Sequence, residues 1–276
     1  MRPAHPRIVL GLHRSRHGRR LLTRALELGV QAIDTGSNYL DFQSHRTLAN
    51  VASDLLPRLT VSTKVGYFPG AQHSLAPDRL RRATERAASD LGREPDVVFL
   101  HNPEHSLTEA TRDDLLEAAC STLADACAQG LCDRWGISSW DPRLLVIPAE
   151  GELPRPDVLM TRAGLLVSAD ILDAAERLAE RLRPREAWGM SPFGGSTADA
   201  VWDRFDPRIF LREPRTSTPI QAAFRAAYRL PSVSAVAVGT DNPGHLGELT
   251  DALDLELDDH MIQQYRELLR ARSQPV

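Results

Sequence analysis

Four residues of different chemistry stand where three short apolar runs end. Val30 to Ile33 is followed by Asp34, and Tyr39 lies five residues beyond it, past the loop-forming run Thr35-Gly36-Ser37-Asn38. Leu59 to Thr63 runs into Lys64, and Asp96 to Leu100 runs into His101. Each run is β-branched or apolar over the length of a buried strand. A carboxylate, a phenol, an ammonium and an imidazole in one pocket would make an acid–base set. Taken singly, each has a plainer reading: Asp34 as a helix cap, Tyr39 as a half-packed loop aromatic, Lys64 as a solvated cation, His101 as a satisfied core histidine.

What would bring them together is a parallel barrel, because all its strands open their carboxyl ends on one face. The rest of the chain has the pattern this requires. Ile8 to Gly11 reads as a first strand, and residues 15–28 carry apolar positions at Leu21, Leu22, Ala25, Leu26 and Leu28, a helical face. Helices are predicted near 47–56, 77–91 and 108–129, the last with Thr108 as its cap and Gly130 as its stop. Further strands are predicted over 134–140, 157–160, 186–190 and 233–238, with helices over 169–182 and 219–229 and two closing helices near 243–253 and 258–271. Residues 65–74 and 196–216 read as loops, the second holding Arg204, Arg208, Arg212 and Arg215. Eight strands alternating with helices in 276 residues predict a single (β/α)8 TIM barrel spanning 1–276, with two C-terminal helices and a shortened N-terminal segment.

The motifs carrying these residues resemble those of the aldo-keto reductases. Asp34-Thr35-Gly36-Ser37-Asn38-Tyr39 is similar to D-T-A-x-x-Y, Thr63-Lys64 to T-K, and Leu100-His101 to the end of L-x-H. Gly136-Ile137-Ser138-Ser139 resembles G-x-S-N, and the stretch through Met190, Ser191, Pro192, Phe193 and Gly195 resembles Y-S-P-L-x-x-G. The resemblance implies nicotinamide-dependent reduction of an aldehyde, ketone or related C=O or C=N group, with Asp34, Tyr39, Lys64 and His101 as the catalytic residues. In those roles Tyr39 is the proton donor, its pKa, ~10 when free, lowered by the Lys64 ammonium. Asp34 keeps that ammonium charged, and His101 orients the substrate oxygen.

The resemblance also implies where a dinucleotide would lie. Ser138 and Ser139 would meet the carboxamide, Met160 stands where Gln is usual, and Met190 stands where an aromatic usually stacks. Ser191, Pro192, Phe193 and Gly195 would approach the pyrophosphate. Gly239, Asp241, His245 and Glu248 would flank the adenosine, with Leu249 in place of Asn. The family favours NADP(H), whereas the carboxylate of Asp241 would repel a 2′-phosphate and leaves room for NAD(H). Two other readings stay open: a non-redox lyase or dehydratase using Tyr39 and Lys64, and a dinucleotide-binding module that turns over poorly.

Composition narrows the partners. Apolar content of 42% and charge of 25% are those of a globular domain, and a net charge of −4 gives no basis for nucleic acid or an anionic membrane as partner. No apolar run nears the roughly 20 residues of a membrane span. The start, Met1-Arg2-Pro3-Ala4-His5-Pro6, has no apolar core behind its charge, so it does not read as a secretory signal and a cytoplasmic location is expected. Cys120, Cys127 and Cys132, odd in number and without C-x-x-C spacing, read as free thiols and not as a metal site. A small-molecule substrate is expected.

Overall fold

The computed structural model describes residues 6–146, 153–214 and 217–273. The sequence readings of residues 1–5, of Arg215 and of the tail 274–276 fall outside the described residues.

Eight parallel strands close on themselves. They are β1 (Arg7–Gly11), β2 (Ala32–Asp34), β3 (Thr60–Val65), β6 (Val97–His101), β7 (Arg134–Ser139), β8 (Val158–Arg162), β9 (Glu186–Met190) and β10 (Ala235–Val238). Each pairs with its neighbour in that order, and β10 pairs with β1 to shut the barrel. A two-stranded hairpin, β4 (Tyr67–Phe68) with β5 (Gln72–His73), stands outside it. The helices are α1 (Arg19–Glu27), α2 (Ser44–Ala52), α3 (Pro77–Leu91), α4 (Arg112–Ala128), α5 (Arg143–Val146), α6 (Ala169–Leu182), α7 (Pro219–Ala226), α8 (Pro243–Asp251) and α9 (Asp259–Ser273).

Two alternating sets of strand residues build two apolar layers. Val9, Val97, Phe99, Val158, Met160, Trp188, Ala235 and Ala237 fill the barrel interior. Their neighbours, such as Leu10, Val98, Leu100, Leu159 and Val236, face outward and meet Leu22, Leu48, Leu80, Leu123 and Leu178 of the helices. Burying one such side chain is worth roughly 1.5–3 kcal/mol, which is why both faces of each strand read as apolar. Gly136 allows β7 to lie close to β8: a Cβ there would come within 2.3 Å of the Val158 carbonyl oxygen and 2.7 Å of the Phe99 ring.

The helices begin and end on recognisable chemistry. Pro77 opens α3, and Gly92 ends it at φ 72°. Thr218 and Gln221 form a capping box on α7, and Asn242 caps α8 through the Gly244 N–H. Several boundaries differ from the sequence reading. Helix α1 begins at Arg19 instead of near Ser15, because Ser15 to His17 form a bonded turn with His17 at φ 56°. Helix α4 begins at Arg112, and Thr108 bonds the Thr111 hydroxyl instead of capping it. Residues 65–74 contain the hairpin, and residues 196–214 contain two 3-10 turns, Ala200–Asp203 and Pro207–Phe210. Among the described residues, no helix is long and apolar enough to cross a membrane, and no group of three or more His, Cys, Asp or Glu could hold a metal.

Candidate active site

Strand register sets the site. Asp34 is paired with Ser62, Lys64 with Phe99 and His101 with Ser138, so the three ionisable residues lie at one end of the barrel. Lys64 is 1% exposed, and a buried ammonium persists only where its three N–H groups are met. They are: Nζ donates to Asp34 Oδ2, to the Thr35 carbonyl at 2.9 Å and to Tyr39 Oη at 3.3 Å. Asp34 is held on its other oxygen by Ser62 Oγ at 2.8 Å.

Tyr39 is placed by an unusual turn. Leu40, Asp41 and Phe42 are consecutive left-handed residues, at φ 48°, 50° and 64°, a conformation costing roughly 1–2 kcal/mol per residue. The turn returns the chain so that the Ser44 N–H reaches the Tyr39 carbonyl at 3.2 Å, and α2 starts there. Gly36 lets the ring lie against the backbone, since a Cβ would be 3.0 Å from Tyr39 Cε1.

Electrostatics separate the roles. Burial pulls the Lys64 pKa down, but Asp34 and Tyr39 more than offset it, so Lys64 is held above its ordinary value and stays charged. Burial raises Tyr39, and the lowering by Lys64 does not overcome it. The net lowering expected from the sequence is therefore reversed, and the phenol stays protonated. His101 lies far below its ordinary value through burial and the Lys64 charge, and its Nδ1 is buried without a partner. The imidazole is neutral, suited to hydrogen bonding and not to acting as a charged acid.

Asp34, Tyr39, Lys64 and His101 line a cavity of about 860 Å³. Met190, Ser191, Pro192, Phe193 and Gly195 line its β9 side, and Gly239, Asp241, His245, Glu248 and Leu249 line its β10 side. Ser138, Ser139 and Met160 do not form its wall. Met160 is fully buried in the barrel interior, because β8 turns that position inward, so the carboxamide contact expected at Met160 has no surface to use. Ser138 is covered by the sulfurs of Met160 and Met190 at 3.8 and 3.9 Å, and Ser139 is fully buried beside Glu104. The Asp241 carboxylate is turned to the β1 loop, accepting from Ser15 Oγ at 2.7 Å and from the Arg16 N–H at 3.3 Å. Arg208 and Arg212 pair with Asp206 and Glu256, and neither they nor Arg204 line the cavity.

His13, Tyr67, Asn102 and Trp140 are among the residues that reach the cavity and that motif reading did not find. His13 packs edge-on to Tyr39 with centroids 4.9 Å apart. Tyr67 packs edge-on to His101 at 4.7 Å, its hydroxyl 2.6 Å from His105 Nδ1 and accepting from Asn102 Nδ2 at 3.2 Å. Trp140, 41% exposed, is fixed at both ends of its peptide: its N–H donates to the buried Glu104 at 2.7 Å, and its carbonyl accepts from Arg162 at 2.9 Å. His13 follows the end of the first strand, so the strand-end rule that selects Asp34 would have selected it too. Tyr67 and Asn102 depend on the hairpin and on a left-handed residue at φ 50°, which leave no periodic signal.

A closed parallel barrel with an acid–base set and a cavity at the carboxyl ends of its strands is the architecture of a (β/α)8 enzyme. The aldo/keto reductase family model matches residues 14–158, more than half of the chain. The chain belongs to the aldo/keto reductase family, whose members are NAD(P)-dependent oxidoreductases. Similar solved structures include the aldo-keto reductase AKR11C1 from Bacillus halodurans in its holo form, with a TM-score of 0.75 at 15% identity, covering 97% of this chain and 95% of that one. The glycerol dehydrogenase AKR11B4 from Gluconobacter oxydans gives 0.73 at 18%, covering 98% and 93%. An aldo-keto reductase from Klebsiella pneumoniae in complex with NADPH gives 0.69 at 18%, covering 96% and 91%. At these identities the likeness is one of fold. No curated protein matches the chain by sequence.

Proposed function

We propose that this protein reduces the carbonyl group of a small molecule, with Tyr39 as proton donor and NADP(H) as the preferred dinucleotide. One observation carries the reading. An ammonium has only donors, so in the 3.3 Å contact Tyr39 Oη accepts from Lys64, and its own hydrogen is left for another acceptor. That phenol lines the cavity, and a carbonyl oxygen there would take the hydrogen. His101, neutral and beside it, would donate a second hydrogen bond to the same oxygen and orient it. Lys64 favours the phenolate left after proton transfer, and Asp34 holds Lys64 in place.

The cavity suits a dinucleotide, since its lining runs from the catalytic residues past Met190 to Gly239 and Glu248. A bound nicotinamide supplies the hydride, which no side chain can. Met190, its sulfur accepting from Ser138 Oγ at 3.9 Å, would hold the nicotinamide end. Ser191, Pro192, Phe193 and Gly195 would hold the pyrophosphate, and Gly239, Asp241, His245 and Glu248 the adenosine. The NADPH complex of the Klebsiella pneumoniae relative, on the same fold, favours the phosphorylated dinucleotide.

Titration with NADPH and NADH, followed by nicotinamide fluorescence, tests the binding half of the reading; absence of binding by either would overturn it. Tyr39→Phe tests the chemistry: dinucleotide affinity should hold while carbonyl turnover falls by about 10² or more. Near-normal turnover in that variant would remove Tyr39 as the donor.

A further inference from the structure

A chain of hydrogen bonds leads from the cavity wall to the catalytic lysine through residues that take no part in the acid–base set. Asp241 accepts from Ser15 Oγ at 2.7 Å, and Ser15 Oγ accepts from the His17 N–H at 3.0 Å. The His17 ring bridges the Ser15 carbonyl, 3.0 Å from Nδ1, and Ser44 Oγ, 2.6 Å from Nε2. Ser44 bonds Thr35 Oγ1, and the Thr35 carbonyl accepts from Lys64 Nζ at 2.9 Å. Ser15, His17, Thr35 and Ser44 are all buried. The ring is held in place by a backbone at φ 56°, which residues other than glycine rarely adopt.

Donor and acceptor roles follow from two facts. A carbonyl only accepts, so Nδ1 carries hydrogen toward Ser15. Burial lowers the pKa of the ring against the opposing Ser15 carbonyl bond and Asp241 charge, which favours the neutral form. Nε2 therefore accepts from the Ser44 hydroxyl, and the Thr35 hydroxyl must donate to Ser44. Every donor has an acceptor, the condition under which a buried polar network rigidifies its surroundings. Thr35 is then held by its N–H on the Ser62 carbonyl at 2.8 Å, by its hydroxyl on Ser44 and by its carbonyl on Lys64.

We propose that His17 is a positioning residue of the active site: through Ser44 and Thr35 it fixes the carbonyl that holds the Lys64 ammonium beside Tyr39, and through Ser15 and Asp241 it anchors that carbonyl to the cavity wall. The charged and titratable groups facing Lys64 are Asp34 and Tyr39, with His13 and His101 nearby; those facing His17 are Asp241 and His45. The role of Tyr39 in turnover rests on the carbonyl-reduction reading, whereas the position of Lys64 does not.

Ser44→Ala removes the middle hydroxyl with little change of shape. The titration of Tyr39 is read in the protein without dinucleotide, as the tyrosinate absorbance difference between each form and the same form carrying Tyr39→Phe. With Lys64 less well held, the Tyr39 midpoint should rise by about one unit in Ser44→Ala, the scale of one lost hydrogen bond. In the holoenzyme kcat should fall about tenfold while KM for the dinucleotide holds within about twofold. Ser44→Thr, which restores a hydroxyl, should bring both back toward wild type. His17→Asn tolerates the left-handed backbone but is too short to bridge Ser15 and Ser44, and it should shift the Tyr39 titration as Ser44→Ala does. An unshifted titration in a folded Ser44→Ala, or in His17→Asn where Ser44→Ala does not fold, overturns the proposal. A shifted titration in a protein that reduces no carbonyl would uphold the positioning role and overturn the functional reading instead.

Discussion

Lys64 has three acceptors for three hydrogens, and the chemistry assigned to Tyr39 depends on that match. Burial already holds the phenol above its ordinary pKa, so Lys64 is the group that keeps it from rising further. Lys64→Met should lower the rate and move the alkaline limb of the alcohol-oxidation profile to higher pH. The variant leaves Asp34 buried with Ser62 as its remaining side-chain partner, an uncompensated charge worth about 3–5 kcal/mol of lost stability. Lys64→Met combined with Asp34→Asn removes that charge and should recover stability without recovering rate. A profile whose alkaline limb stays where wild type has it would separate Lys64 from the proton donor.

Helix α2 meets β3 through a second buried histidine. His45 Nε2 lies 2.7 Å from Thr63 Oγ1, one residue before Lys64, and burial lowers its pKa to about 4, with Asp90 opposing and His17 adding to the shift. The sign follows from linkage. The folded protein resists protonating His45, so the stability it contributes is complete above the ordinary histidine pKa near 6.5 and declines as pH falls from there toward about 4. The loss over that window is about 3 kcal/mol. Urea midpoints measured between pH 7 and pH 4 should therefore fall, and His45→Gln should flatten that decline. An equally steep decline in the variant would assign the acid sensitivity to other groups.

At the scale of the whole molecule, barrel closure brings the β1 loop against the β10 loop, residues more than two hundred positions apart, and the Ser15–Asp241 bond is made there. That contact bears on dinucleotide choice. The Asp241 carboxylate is engaged by the β1 loop yet still lines the cavity, and a 2′-phosphate at ~4 Å would feel a repulsion of roughly 1 kcal/mol in water. Asp241→Ser also loosens the loop contact, which should weaken both dinucleotides alike, so the ratio of their constants is the useful quantity. Dissociation constants for NADPH and NADH, at one ionic strength, should shift in ratio toward NADPH by about fivefold. An unchanged ratio would place Asp241 away from the ribose 2′ oxygen.

Periodicity was enough to determine the eight strands and the order of most helices, and strand-end position was enough to bring Asp34, Tyr39, Lys64 and His101 to one cavity, because each signal lies within a few consecutive positions. The hairpin Tyr67–Phe68 with Gln72–His73 was not legible, since strands of two residues carry no period. Nor was the difference between Met160 and Met190: Met160 lies in the middle of β8 and packs inside the barrel, Met190 ends β9 at the cavity, and only the barrel's closure decides which sulfur faces the opening. The sign of the shift on Tyr39 was also a tertiary matter, because desolvation depends on every element packed around the phenol and outweighs its one adjacent cation. The same holds for the path from Asp241 through His17 and Ser44 to Lys64. Its residues come from the β1 loop, the β2 end, α2, β3 and the β10 loop, and hydrogen bonds across such separations exist only once the barrel has shut.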